Sequence, residues 1–408
     1  MSERKNPSSE PLFPVSSFKN PISLSRRRML QLLGAGGAAL AIGPVEGAWA
    51  DPGAGRARPR GMTTRLSRRY HLDFPFVGAG MGFVALPELV AAVSNAGGLG
   101  VLGNGAEPPP ATALRIDQIR ALTQRPFGVD FFLATSPLFG PTTVSEHIDV
   151  AIAKQVPLVV FHFDLPPAEW VERLHNAGID VWVQVPSLPD AQAAVAVGAD
   201  VLIAQGSEAG GHNKSTTPLK RLLREVRREV SLPVLAAGGI VTGGDVASAL
   251  AHGADGVWVG SRLVASEEAY AHPEYKRRLT RGPGRNTVTT RLFGPELPCL
   301  PYRVVNNRVV RENFDRQDEL CVLPPDFAQP IGTTLLFPGT PFATQVPLPK
   351  FTVLVPTPDT VVDLDEMGLA AGQNIHRIDR VKPAARIVEE MMAEAWEQLE
   401  AERVAGVR

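Results

Sequence analysis

Between Phe74 and Tyr270 the chain repeats one motif: a short apolar strand, a loop, an amphipathic helix closed by glycine, and the next strand. The segments "NAGID", "VGAD" and "HGAD" are near-copies of one lead-in, each setting a helix-terminating glycine just before a buried run. The strand candidates are "FPFVGAG", "LGVLG", "FGVDFFL", "LVVFHF", "VWVQV", "VLIAQG", "PVLAAGG" and "VWVG". Continuous apolar strands with helices between them imply a parallel sheet covered on both faces, because every crossover lays a helix over the sheet. Eight such units favour a closed (β/α)8 TIM barrel, although an open doubly wound sheet shares the local pattern. The barrel is expected over residues 71–280.

After Arg281 the texture changes to Pro- and Gly-rich stretches without a sustained period, yet too apolar for a disordered tail. Residues 281–380 therefore read as an irregular subdomain packed on the barrel, where it would shape the substrate pocket. Residues 381–408 read as a helix that returns to the barrel wall, with Pro383 near its start and Ile387, Met391 and Trp396 sharing a face.

At the other end, Arg26-Arg27 precede an apolar stretch from Met29 to Gly43, and "AWA" follows at Ala48–Ala50. This is the layout of a secretory leader, and the paired arginines resemble a twin-arginine signal. The expectation is a leader over 1–50, a linker over 51–70, and export to a periplasmic or extracellular location, with no stable membrane anchor. A net charge of −1 argues against a general nucleic-acid binder. The two cysteines, Cys299 and Cys321, are too few for a disulfide framework and offer no metal-ligand spacing, so no metal site is expected. One bridge between them or two buried thiols are both compatible with the sequence.

In a parallel barrel, ligands meet the loops that follow the strand C-termini. The first candidate strand ends in "GAGMGF" around Met81, the third in Asp130, the fourth in "FHFD" with His162, and the sixth in Gln205. Then come "AAGGI" with Gly238 and Gly239, and "VWVGSR" with Trp258, Val259, Gly260 and Ser261. Glycine-rich ends on neighbouring strands, each feeding a helix, suit a phosphate, since backbone N–H groups can reach an anion where no side chain intervenes. His212 follows Gly210 and Gly211 at the mouth, where an imidazole can take a carbon-bound proton near neutral pH.

These segments resemble the nitronate monooxygenase (formerly 2-nitropropane dioxygenase) family of FMN-dependent barrels. The likeness rests on "GAGMGFVALPELVAAVSNAGGLGVLG", "GADVLIAQGSEAGGH", "LPVLAAGGIVTGGDVASALAHGADGVWVGSRLVASEEA" and "AGQNIHRIDRVKPAARIVEEM". It implies bound FMN, with Met81, Asp130, Gln205, Gly210, Gly239, Trp258, Val259, Gly260 and Ser261 around the cofactor. It implies His212 as catalytic base. His162 would face the same cavity as an aid to His212 or a substrate-orienting group, or be a satisfied core histidine. The implied substrate is an alkyl nitronate or its neutral nitroalkane, with dioxygen reoxidising the flavin. An NAD(P)H-dependent reductase of quinones or enoyl thioesters shares the same motifs, as would a non-catalytic exported binder of flavin or a phosphorylated ligand. Three departures from the family pattern stand out: Asp130 replaces an asparagine, "GAGM" replaces "APM", and the Pro-rich region is long.

Overall fold

Eight apolar segments become β1 (Phe76–Gly78), β2 (Leu99–Asn104), β3 (Phe127–Phe132), β4 (Leu158–His162), β5 (Asp180–Val185), β6 (Val201–Gln205), β7 (Val234–Ala237) and β8 (Gly256–Val259) in the computed structural model. They pair in parallel in chain order, and β8 closes onto β1 with Val257 opposite Phe76. The closed barrel is thereby realised and the open sheet excluded. The structure describes residues 62–136, 140–281, 286–297 and 299–406; the leader expected over 1–50, and the linker as far as residue 61, lie outside the described residues.

Strand alternation divides the core in two. Val77, Leu99, Val101, Leu158, Val160, Trp182 and Ile203 fill the barrel axis. Their neighbours Phe76, Val129, Phe131, Val159, Phe161 and Val183 point outward against the helices. Period-two geometry in a closed sheet produces these two layers.

The linker expected through residue 70 ends earlier. Arg65–Tyr70 is a helix, α1, capped by the Thr64 hydroxyl, and Leu66 is fully buried among the barrel-axis residues. Trp182 Nε1 donates to the Tyr70 hydroxyl at 2.8 Å. Arg65 bonds both carboxylate oxygens of Asp255, at 2.7 and 2.6 Å, and Arg69 reaches Asp180 at 2.6 Å and Asp200 at 3.0 Å. Those three aspartates end the repeated lead-ins, at or just before the starts of β5, β6 and β8. The helix thus plugs the N-terminal end of the barrel and leaves the opposite end for ligands. Its basic residues resemble a leader-side linker when their acidic partners are out of view.

Directly after β8 comes the four-residue helix Ser261–Val264, followed by the helix Pro273–Thr280. The helix that completes the outer ring is the C-terminal one, α2 (Ala384–Val404), which packs against helices Gly243–Ala251 and Pro87–Asn95. The expected return to the barrel wall is therefore observed. Everything between the helix Ser261–Val264 and α2 is inserted at the carboxyl end of β8, over the barrel mouth.

That insertion is more regular than its Pro-rich sequence implies. Among the described residues it carries two small antiparallel sheets. One pairs β9 (Thr287–Thr290) with β10 (Tyr302–Val305) and then with the barrel loop Gly211–His212. The other pairs β11 (Gly332–Leu336) with β12 (Thr344–Leu348) and with Val361–Val362. A disulfide joins Cys299 to Cys321. The second sheet is tied to the barrel through a buried ion pair: Arg115 meets Glu107 at 3.1 Å and also donates to the Pro338 carbonyl at 2.8 Å.

Candidate active site

The alternation that fills the barrel axis also decides what faces its mouth. Toward the mouth, the inward positions of β3 to β6 include Asp130, His162, Gln184 and Gln205, four polar side chains on adjacent strands, with Phe132 following Asp130 on β3. From β7 round to β2 the corresponding positions are Ala237, Trp258, Ala79 and Gly103.

On the polar side, the Asp130 carboxylate is 3% exposed and pairs with His162 Nδ1 at 2.7 Å. Burial pushes the Asp130 pKa upward, and the neighbouring imidazole opposes that shift. Asp130 also explains the departure in the first loop. A Cβ at Gly80 would lie 2.4 Å from Asp130 Cβ, so the "GAGM" loop must carry glycine there.

His212 sits on a loop that is tightly held. The Glu208 carboxylate caps the helix Leu219–Glu229 by accepting from Leu219 N at 2.9 Å. Arg303 donates to the Ser207 carbonyl at 3.0 Å, and Asn213 Nδ2 to the Gly206 carbonyl at 2.9 Å. Gly211 adopts φ 80°, a left-handed conformation that turns the chain into pairing with β10. The His212 ring stacks on Tyr302 with centroids 4.4 Å apart and meets Phe163 edge-on at 5.3 Å. Its Nε2 is buried and has no hydrogen-bond partner among the described residues. Burial, and secondarily the nearby His162, depress the His212 pKa to about 3. Phe163, Gln184, Pro186, Gln205, His212 and Lys214 line a small, partly open pocket.

The other side of the mouth is built from backbone. Gly238 and Gly239 hold φ of 119° and 69°, left-handed values that favour glycine. Their N–H groups donate to no protein acceptor among the described residues. Helix Gly243–Ala251 begins just beyond, capped by Thr242. The segment Ala371–Asn374 folds in against this region. Asn374 Nδ2 donates to the Gly239 carbonyl at 2.7 Å, and Gly372 N donates to Ser261 Oγ at 2.9 Å. Gly210 is pressed on the same segment, where a Cβ would lie 2.4 Å from the Ala371 carbonyl carbon. Met81 is half-buried, its sulfur 3.7 Å from where a Gly260 Cβ would stand.

The structure thus gathers Asp130, His162, Gln205 and His212 on one side of the mouth. Gly210, Gly239 and Ser261 converge around residues 371–374, with Met81 beside Gly260. Two expected cofactor contacts differ from the rest. Trp258 is 7% exposed and belongs to the barrel-axis core. Val259 points outward into the helix layer, so only its backbone can reach a ligand. Sequence reasoning passed over Tyr302, Phe163, Gln184, Lys214 and Asn374. Gln184 was within reach, because it lies two residues after the inward Trp182 in "VWVQV". Tyr302 carried no signal, since it meets His212 only through a strand pairing between distant segments.

The family model for nitronate monooxygenase matches residues 63–394. The chain belongs to the nitronate monooxygenase family. A probable nitronate monooxygenase of Staphylococcus aureus is 31% identical over 298 residues, covering 64% of this chain and 83% of the relative. Among solved structures, a nitroalkane oxidase from Streptomyces ansochromogenes aligns with TM-score 0.67 at 31% identity, over 82% of this chain and 99% of the other. FabK from Thermotoga maritima aligns equally well, with TM-score 0.67 at 31% identity, over 84% and 99% of the two chains. The protein is an enzyme, a flavin-dependent oxidoreductase built on a TIM barrel.

Proposed function

We propose that this family member binds FMN and oxidises alkyl nitronates with dioxygen. The observation that carries the reading is His212 Nε2, a buried polar atom without a hydrogen-bond partner among the described residues, beside a pocket with a cationic rim. A buried unsatisfied nitrogen is costly unless a ligand completes it. The chain's residues also fit the cofactor. The unpaired N–H groups of Gly238 and Gly239, with the start of helix Gly243–Ala251, suit its phosphate. Met81 and Gln205 suit its ring. When bound, FMN supplies the two-electron acceptor and the reaction with dioxygen.

The protein's part is selection and orientation. His212 stays neutral at working pH, so it can donate or accept one hydrogen bond without carrying a buried charge. The Lys214 ammonium, held against the Phe163 ring and carbonyl, complements an anion entering the pocket. Toward a substrate that is already a nitronate, a neutral His212 serves as a hydrogen-bonding contact, and toward a neutral nitroalkane it remains the expected base.

Mixing the purified protein anaerobically with a nitronate, NADH or NADPH tests this. Rapid flavin bleaching by nitronate alone is expected. Bleaching by NAD(P)H with none by nitronate overturns the reading in favour of a reductase.

We also propose export. The leader sequence and the Cys299–Cys321 disulfide support it, since such bonds persist in oxidising compartments. Replacing Arg26 and Arg27 by lysine should retain the protein in the cytoplasmic fraction, and unchanged fractionation would refute a twin-arginine route.

A further inference from the structure

We propose that Phe163 limits the length of the substrate, so that the site selects nitronates with short alkyl chains. This deepens the nitronate reading above, on which it rests, by assigning a size limit and the side chain that sets it.

The backbone gives the first sign. Phe163 follows β4 directly and holds φ 80°, the largest positive φ of any non-glycine residue among the described residues. That lies past the small left-handed well at about 50 to 70°, where a bulky residue is already strained. Strain of this kind persists only where the surroundings enforce it, and it gathers at functional sites. Here the Phe163 ring stands edge-on to Phe132, with centroids 4.4 Å apart, and meets the rings of His162 at 5.6 Å and His212 at 5.3 Å. The Lys214 ammonium lies 5.3 Å from the ring centroid and donates to the Phe163 carbonyl. Held on these sides, the ring is a fixed wall of the pocket it lines.

A second apolar wall is fixed by the same loop. Phe163 and Pro186 are the apolar members of the pocket lining, and the remaining side chains there are polar. Ser215 Oγ donates to the Pro186 carbonyl at 2.9 Å, just as the adjacent Lys214 donates to that of Phe163. Lys214 and Ser215 therefore tie both walls to the loop that carries His212. A ligand cannot part the walls without moving that loop.

A nitronate is a flat anionic head on an alkyl tail. The polar lining and the Lys214 ammonium complement the head, which leaves the tail Phe163 and Pro186 to lie against. Methylenes added to the tail meet the Phe163 ring, and a ring wedged among three others does not yield to them. Removing it opens apolar space bounded by Phe132, which a longer tail can fill.

The test measures kcat/KM for ethyl, butyl and hexyl nitronate on flavin-loaded wild type, Phe163→Leu and Phe163→Gly. Glycine accepts φ 80° without strain, so that variant loses the ring while the backbone keeps its path. Wild type should lose about tenfold or more in kcat/KM from ethyl to hexyl nitronate. In Phe163→Gly the hexyl-to-ethyl ratio should rise by about tenfold or more, with Phe163→Leu between the two. General destabilisation lowers all three substrates together and leaves the ratio where it was. A ratio within about 3-fold of wild type in Phe163→Gly overturns the assignment, as does a wild type with no preference for the short chain. Should Phe163→Gly purify without flavin, Phe163→Leu carries the same comparison.

Propionate and heptanoate carry matching chains on a flat anionic head that does not react, and their Kd values from flavin difference spectra give a readout independent of turnover. Wild type should bind propionate more tightly than heptanoate, and Phe163→Gly should reverse that order. An order that does not change overturns the size limit. A wild type that oxidises no nitronate refutes the nitronate reading instead, and the carboxylate pair then decides the wall on its own.

Discussion

From β3 to β6 the barrel mouth presents Asp130, His162, Gln184 and Gln205, whereas from β7 round to β2 it presents Ala237, Trp258, Ala79 and Gly103 with the Gly238–Gly239 turn beside them. The same strand geometry underlies both halves, so the difference lies in what the side chains leave free. On one half, functional groups project inward and carry hydrogen bonds and protons. On the other, side chains are withdrawn and the backbone N–H groups of Gly238 and Gly239 have no acceptor among the described residues. If the proposed function holds, the barrel separates holding a cofactor from acting on a substrate by strand number.

The sharpest way to break that division is Gly239→Val. A branched side chain at φ 69°, with its Cβ 3.1 Å from the Asn374 amide, strains the turn and blocks the anion's approach. The purified variant should contain essentially no flavin by its absorbance-to-protein ratio. Normal flavin content would show that the glycine half does not bind the cofactor.

Tyr302→Ala probes the opposite half. Loss of a large buried aromatic should destabilise the cap by about 3 kcal/mol or more and reduce nitronate turnover by about tenfold as His212 loses its stacking partner. Flavin content should stay near wild type. Loss of flavin together with turnover would mean the halves are not separable.

A smaller effect is expected from Gln184→Leu, which removes one polar group from the pocket lining. KM for nitronate should rise by about tenfold with kcat little changed, as for one lost hydrogen bond to a charged group. Steady-state kinetics decide it, and an unchanged KM would remove Gln184 from the substrate contacts.

The smallest effect is a stability slope. The folded pKa of His212, about 3, lies below its unfolded value near 6.5, so the unfolded chain binds the extra proton between those pH values. That contribution to stability is complete above pH 6.5 and is lost as pH falls toward 3. It amounts to about 2 kcal/mol between pH 7 and pH 5. Thermal unfolding of His212→Gln should show a shallower fall in Tm over this range than wild type. Parallel slopes would mean the imidazole is not held neutral by burial.

Much of the barrel was legible because its signals are local. Glycine before an apolar run marks a helix end and a strand start wherever it occurs, and the strand-end residues follow from counting by twos. The cap was less legible. Pro347 lies inside β12, where a proline argues against a strand, and β10 finds a partner strand in Gly211–His212, far away in sequence. The helix α1 was misread for a similar reason. Arg65 and Arg69 resemble a basic linker until Asp180, Asp200 and Asp255 are brought beneath them by barrel closure.

The sequence by itself determined the eight-unit barrel, the glycine turns at β7 and β8, and the candidacy of His212 and His162. These depend on backbone preferences and hydrophobic period, which act over a few residues. Only the tertiary structure decided which histidine is sealed and which is backed by a carboxylate. Desolvation depends on what covers a side chain, and charge pairing on what adjoins it across strands. Tyr302 covers His212 and Asp130 adjoins His162, and neither relation exists before the barrel closes and the cap folds over it.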